Sequence, residues 1–314
     1  MRQRNGNKLK SQRGIKMKLR KNIAAVLAGV MVIGGMASGV TVNAAGEDTP
    51  YLALGADLSE QEKATVLSLL EVDSSQLDQY TIVEVTNEEE HEYLGSYLDE
   101  SVIGTRSLSS VVVEQTEEGS GIQVTTSNIS YCTTDMYQNA LATAGLQNAE
   151  IRVAGPFNIS GTAALVGAMK AYGAMTGNEI QAENADAATE ELVITSELGE
   201  ELGNQEAASN LIGAVKDIIV AQEVTDPEKI EAIIKDTAQQ LGITLTDKDI
   251  EKIRDLMSKI GDLDLDVEAL KAQAKELYNK LESLDINISE EQVKGFLHTI
   301  MSWFQKMIDM FQNK

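Results

Sequence analysis

The chain has 314 residues, with 26 Lys and Arg against 49 Asp and Glu, so its net charge at pH 7 is −23. An acidic chain is repelled by phosphate backbones, which excludes nucleic acid as a default partner. A single Cys excludes an internal disulfide framework and any multi-Cys zinc or iron–sulfur site. Hydrophobic residues make up 43% of the chain and are numerous enough to predict a packed core.

The first 44 residues have the organisation of a secretory signal. Residues 2–21 hold nine basic residues and no acidic one, and residues 23–42 are uncharged. Small residues then stand where signal peptidase requires them, which predicts cleavage after Ala44, with Ala45 as the next choice. The alternative is an uncleaved anchor, because 20 apolar residues can just span a bilayer. We therefore expect a secreted protein.

Removal of residues 1–44 leaves 17 basic and 49 acidic residues, a net charge of −32. Residues 45–210 hold four basic and 29 acidic residues, whereas residues 211–314 hold 13 and 20. We therefore predict an acidic domain over residues 45–184, a helical domain over 185–288 and a separate C-terminal helix over 289–314.

The acidic domain alternates strand and helix signals. Ser59 and Thr86 each precede an acidic third position, which is the capping-box pattern that begins a helix. A turn at residues 117–120 between two β-rich runs predicts a hairpin. The predicted strands are 51–54, 80–85, 108–114, 121–126 and 149–154, the last followed by a Gly155-Pro156 turn, and the later helices are 134–144 and 160–175. This pattern indicates an α+β domain with a mixed or antiparallel sheet.

Five strings of the chain are distinctive: Leu54–Ser59, Thr86–Gly95, Ile103–Arg106, Ala154–Leu165 and Thr195–Gly199. Together they resemble the YpuA-like family of secreted Gram-positive proteins, a domain of unknown function. The resemblance covers about residues 50–260. It implies an exported, envelope-associated protein, and it carries no assigned activity or catalytic residue.

Helical spacing dominates from about Ala185 onward. Asp226-Pro227 and Thr246 predict helix starts, and further helices are expected over 267–284 and from Ser289. The last helix has a nearly unbroken apolar stripe, which either closes the helical core or binds a partner or membrane surface. The candidate contact residues on this helix are Phe296, Ile300, Trp303, Phe304, Met307 and Phe311.

Most catalytic templates fail for lack of suitable residues, and no cofactor is predicted. The two histidines, His91 and His298, lie in different predicted domains, so a multi-His metal site within one chain is not expected. Cys132 could act as a nucleophile with His91, but a thiolate needs an electropositive neighbourhood, so an inert buried thiol is favoured. The loop 155–162 could cradle an anion through its amides, and a structural turn is favoured over this interpretation.

The densest acidic cluster is Glu88, Glu89, Glu90 and Glu92. It is a weak calcium candidate, because extracellular calcium is plentiful enough to fill carboxylate sites. Carboxylates at a helix start also complement the helix dipole, which explains the cluster without an ion. We expect Arg106 to pair with one of these carboxylates.

Three functional hypotheses follow. The first is a non-catalytic binding or structural protein whose partner is a protein or a cationic envelope component. The second is a hydrolase of wall or peptide substrates that uses paired carboxylates. The third is a membrane-surface protein held by the C-terminal helix. A pair of carboxylates in a deep cavity would distinguish the second from the first.

Overall fold

The computed structural model describes residues 49–177 and 180–266, together with Leu270 and Ala274. The predicted signal segment with its cleavage site at Ala44 or Ala45 lies outside the described residues, as does the predicted C-terminal helix with its six candidate contact residues. Among the helices of the described ranges, none combines the length and apolarity that crossing a membrane requires.

The first 129 described residues form the predicted α+β arrangement. The elements are β1 (Tyr51–Gly55), α1 (Glu60–Leu69), a 3-10 turn (Leu77–Gln79), β2 (Thr81–Val85), α2 (Asn87–Leu94), α3 (Glu100–Ile103), β3 (Ser110–Gln115), β4 (Ile122–Ile129), α4 (Thr134–Thr143), β5 (Ala149–Ile159) and α5 (Thr162–Thr176). Ser59 and Thr86 cap α1 and α2 through complete capping boxes, as their spacing predicts.

The five strands form one sheet in the order β2-β1-β3-β5-β4. Strand β3 runs antiparallel to β1 and to β5, while β2 is parallel to β1 and β4 is parallel to β5. Four of the five strands therefore point the same way, and their carboxyl ends lie at one edge of the sheet together with the start of β3.

The predicted hairpin between β3 and β4 is wrong. Strand β5 lies between them, and Ile151 is the register partner of both Val113 and Val124. The side chain of Asn148 explains the difference, because its oxygen accepts hydrogen bonds from Gly119 N at 2.8 Å and Gly121 N at 3.2 Å. These bonds hold the 117–120 turn against Asn148, the residue that leads into β5, so β3 and β4 lie on either side of β5.

The Gly155-Pro156 turn predicted after residue 154 is also wrong, because β5 continues through this dipeptide to Ile159. Asn128 adopts a positive φ of 60° where the β4–β5 register shifts, and its side chain donates to the Gly155 oxygen at 3.1 Å. A Cβ at Gly155 would lie 2.9 Å from the Asn128 oxygen. The irregularity in β4 and the glycine in β5 therefore fit one another.

Helices cover both faces of the sheet. Helix α1 packs on one face, where its Val66 and Leu67 belong to the same apolar cluster as Leu52 and Val112 of the strands. Helix α5 packs on the other face through small residues, and a Cβ at Gly167 would lie 2.9 Å from the Cβ of Ala53.

Four helices follow the sheet: α6 (Ala182–Leu202), α7 (Gln205–Ala221), α8 (Pro227–Gln240) and α9 (Asp247–Gly261). Asp226 and Thr246 cap α8 and α9, as their sequence predicts. A single apolar core cluster runs from the sheet through these helices. The predicted boundary between residues 184 and 185 falls within α6, and the division into separate folding domains stays a prediction.

A buried ion pair joins the sheet layer to the helical layer. Lys216 of α7 lies 2.9 Å from a carboxylate oxygen of Glu191 of α6, and their side chains are 1% and 0% exposed. Lys216 also donates to the Asn139 carbonyl oxygen at 2.7 Å and to the Thr143 hydroxyl at 3.1 Å, both on α4. The Thr143 hydroxyl in turn donates to Glu191. Three helices thus share one polar centre inside an apolar core.

We predict that Lys216→Met lowers the free energy of unfolding by about 3–5 kcal/mol, because it leaves Glu191 buried without its cation. Lys235→Met is the matched control, since Lys235 pairs with Glu231 on the exposed surface of α8. That change should leave the free energy of unfolding nearly unchanged, because an exposed ion pair contributes little to stability. Urea unfolding at pH 7 measures both, and equal losses would show that the buried pair does not hold the layers together.

Candidate functional site

A cavity of about 460 Å³ opens at the carboxyl edge of the sheet. Its walls come from α2, the segment that precedes β3, the residues after β4, the end of β5 and the start of α5. In open sheets with helices on both faces, ligands bind outside the carboxyl ends of the strands. The lining side chains include six small hydroxyl residues, Ser101, Thr105, Ser109, Ser130, Ser160 and Thr162.

The cavity wall at residues 101–109 is fastened to α2. The side-chain amide of Asn87 donates to the Gly104 carbonyl oxygen at 3.2 Å, and His91 Nε2 lies 3.2 Å from the same oxygen. Gly104 has a φ of +79°, in the region that glycine adopts without strain. His91 therefore holds this wall, and the structure does not bring it together with Cys132 as a catalytic pair.

The same segment is fastened to the end of β1. Ser107 N donates to the Asp57 carboxylate at 2.7 Å, and a Cβ at Gly55 would lie 2.4 Å from the Ser107 oxygen. Arg106 pairs with Glu62 of α1 at 2.7 Å. The expectation that Arg106 pairs with the acidic cluster is wrong. The backbone at Ser107 passes close over Gly55 at the end of β1, which places the neighbouring Arg106 beside the start of α1.

Glu90 of α2 lines the cavity and is only 1% exposed. Burial raises the pKa of its carboxyl from 4.5 to about 8, and the charge of Asp57 adds to the rise, while Ser107 and Asn87 oppose it. The Asn87 amide donates to a Glu90 oxygen across a long distance of 3.5 Å. No Lys or Arg pairs with Glu90 among the ion pairs of the described residues. At neutral pH this carboxyl is mainly protonated.

The other members of the acidic cluster point elsewhere. Glu88 is exposed, and Glu89 accepts from Thr86 and pairs with Lys170 of α5 at 2.5 Å. Burial raises the pKa of Glu92, and the charges of Glu88 and Glu89 raise it further. Within the described part of the chain, no group of three or more His, Cys, Asp and Glu side chains is placed to hold a metal ion. The structure therefore does not gather the four calcium candidates into one site.

Cys132 lies in the core and is 1% exposed. Burial raises the pKa of its thiol to about 12, and the nearby charge of Glu90 raises it slightly further. A thiol with such a pKa has almost no thiolate at neutral pH, so it is a poor nucleophile. The neighbouring Tyr137 hydroxyl donates to the Gly161 carbonyl oxygen, which fixes the entry to α5.

Phe157 lines the cavity and is 50% exposed, which is unusual for a large apolar side chain. The sequence patterns described above do not distinguish this residue as a candidate. The available signal was that the chain has four Phe residues, of which three lie in the C-terminal segment and the fourth follows Gly155-Pro156. Such a residue at the mouth of a cavity offers a binding surface for an apolar part of a ligand.

The strings that carry the family resemblance surround this cavity. Residues 86–95 supply Glu90, residues 103–106 and 154–165 supply walls, and residues 54–59 supply Asp57, which holds Ser107. The string 195–199 supplies Ser196, which lies close to Tyr131 of the cavity wall. Segments separated by up to 140 residues in sequence thus meet at one place.

We predict that Glu90→Gln gains stability over the wild type as the pH rises. When folding raises the pKa of an acidic group, the free energy of unfolding falls as the pH rises between the two pKa values. For Glu90 these are 4.5 in the unfolded chain and about 8 in the folded one. The variant lacks this loss, so its relative gain between pH 5 and pH 9 should be on the order of 4 kcal/mol. Urea unfolding at several pH values measures it.

Glu88→Gln, which alters an exposed carboxyl on the same helix, is the matched control. Asp217, whose pKa burial raises to about 8, contributes equally to the wild type and both variants. A gain no larger in Glu90→Gln than in Glu88→Gln would contradict the assignment of Glu90 as a buried, cation-free carboxyl.

Comparison with known proteins is consistent with the sequence resemblance. The chain is 39% identical over 254 residues to the uncharacterized protein YpuA of Bacillus subtilis (strain 168), which covers 81% of this chain and 85% of that protein. No protein of known structure matches the chain. Residues 54–277 match the family described as protein of unknown function (DUF1002). The chain therefore belongs to the DUF1002 family.

Proposed function

We propose that this chain is an exported, non-catalytic binding protein of the cell envelope and that its ligand occupies the Glu90 cavity. The observation that carries the proposal is the cavity itself. It lies where ligands bind in sheets of this kind, and it combines a buried carboxyl with an exposed aromatic side chain and a wall of hydroxyl groups.

The chemistry of the wall favours binding over hydrolysis. A glycosidase needs two carboxyl groups that flank the bond to be cleaved. Glu90 is the one acidic residue among those that line the cavity, and the nearby Asp57 carboxylate is occupied by the Ser107 amide. Cys132 is buried behind the wall with a pKa of about 12, so it offers no activated nucleophile.

The sequence supports the exported location. The basic segment, the uncharged run and the small residues at Ala44 and Ala45 together have the form of a secretory signal. The domain that holds the cavity has 29 acidic and four basic residues over positions 45–210. A negative field of this size raises the local concentration of cationic ligands and steers their approach.

We predict that a photo-crosslinking analogue of phenylalanine at position 157 captures an envelope component in living cells, because Phe157 lies at the cavity. The same analogue at position 69 is the matched control. Leu69 is a large exposed apolar residue, 37% accessible, on α1, which packs on the opposite face of the sheet from α5. Covalent products are measured by immunoblot and mass spectrometry.

Capture at position 157 and not at position 69 supports the proposal. Equal capture at both positions, or none at position 157, contradicts it. Turnover of cell-wall fragments that Glu90→Gln abolishes would instead establish the hydrolase.

A further inference from the structure

Glu90 is the feature of the cavity that the fold does not explain. Each cation of the described region that lies near it is already paired with another carboxylate. Arg106 is held by Glu62, and Lys170 by Glu89, next to Glu90 on α2. Burying a carboxyl without a counter-ion costs stability, and an apolar residue at this position would avoid that cost.

The groups that face Glu90 do not supply a cation. Asn87 of the same helix is an amide 3.5 Å away, and Asp57 from the end of β1 adds negative charge. From the other side, Cys132 and Tyr137 interact with Glu90, and burial raises the pKa of both. The described protein groups around Glu90 therefore supply no counter-ion, and a molecule that enters the cavity can supply one.

We propose that the cavity binds a primary ammonium group on an apolar stem, as in the lysine side chain of a peptide, with the ammonium paired to Glu90. This inference rests on the proposed function and names its ligand. An ammonium group has three donors, which suits one carboxylate together with hydroxyl oxygens of the cavity wall. The exposed ring of Phe157 can cover the methylene stem.

Binding of such a ligand must release a proton. The ammonium enters with its positive charge, the protonated Glu90 carboxyl loses its proton to solvent, and the carboxylate and ammonium form the pair. Below the pKa of Glu90 in the free protein, affinity should therefore rise about tenfold for each pH unit. The lysine ammonium stays protonated over the same range, so the change reports Glu90.

The test uses the full chain and two peptides, acetyl-Ala-Lys-Ala-amide and the same peptide with an acetylated lysine side chain. We expect the free-amine peptide to bind at least tenfold more tightly than the acetylated one. Affinity for the free amine should rise about tenfold per unit between pH 6 and pH 7.5, and calorimetry in buffers of different ionisation enthalpy should show proton release.

Glu90→Gln should abolish the preference for the free amine, and Glu88→Gln should keep it. Folding of the variants is checked by urea unfolding, in which Glu90→Gln is expected to remain stable. Equal binding of the two peptides, a pH-independent affinity, or a retained preference in Glu90→Gln would overturn the inference.

Failure of this inference is distinguishable from failure of the proposed function. If crosslinking at position 157 captures an envelope component that has no free amine, the cavity is a binding site and the ammonium assignment is wrong. If nothing is captured at position 157, the proposed function itself fails.

Discussion

The buried pair of Lys216 and Glu191 is the interaction on which the arrangement of the layers depends. It joins α6 and α7, and through Asn139 and Thr143 it joins both to α4. Helix α4 in turn contacts β4 of the sheet. Removal of either partner would leave the other charge buried without its counter-charge, so this centre holds the three helices in one relative arrangement.

Glu90 is a second buried carboxyl, and unlike Glu191 it has no cation paired with it among the described residues. Both Glu90 and Glu191 are almost fully buried, and burial raises the pKa of each. Lys216 compensates Glu191, whereas the cations nearest to Glu90 pair with Glu62 and Glu89. With four basic residues over positions 45–210, the domain has few cations to distribute. Residues that are retained for function often lower the stability of the fold. A carboxyl that lowers stability and lines a cavity is therefore what we expect of a binding residue.

Local signals in the sequence predict the elements well, since caps at Ser59, Thr86 and Thr246 and the alternation of the strands depend on neighbouring residues. The errors concern contacts between distant residues. The hairpin fails because Asn148, nearly 30 positions away, binds the turn. The partner of Arg106 is Glu62 because two segments cross at Gly55. The acidic cluster was identified, but its division into an exposed Glu88, a paired Glu89 and a buried Glu90 follows from tertiary packing. The position of Phe157 at the cavity follows only from the tertiary structure.

The central claim is that Glu90 is a buried carboxyl that receives its cation from a ligand. A carbon-13 NMR titration of the Glu90 side-chain carboxyl, assigned with Glu90→Gln, tests it most directly. In the free protein the account predicts a midpoint of about pH 8. With the free-amine lysine peptide at saturation, the midpoint should fall by about two units or more, to below about pH 6, because the ammonium stabilises the carboxylate. A midpoint near 4.5 in the free protein, or one that the peptide leaves unchanged, would contradict the account.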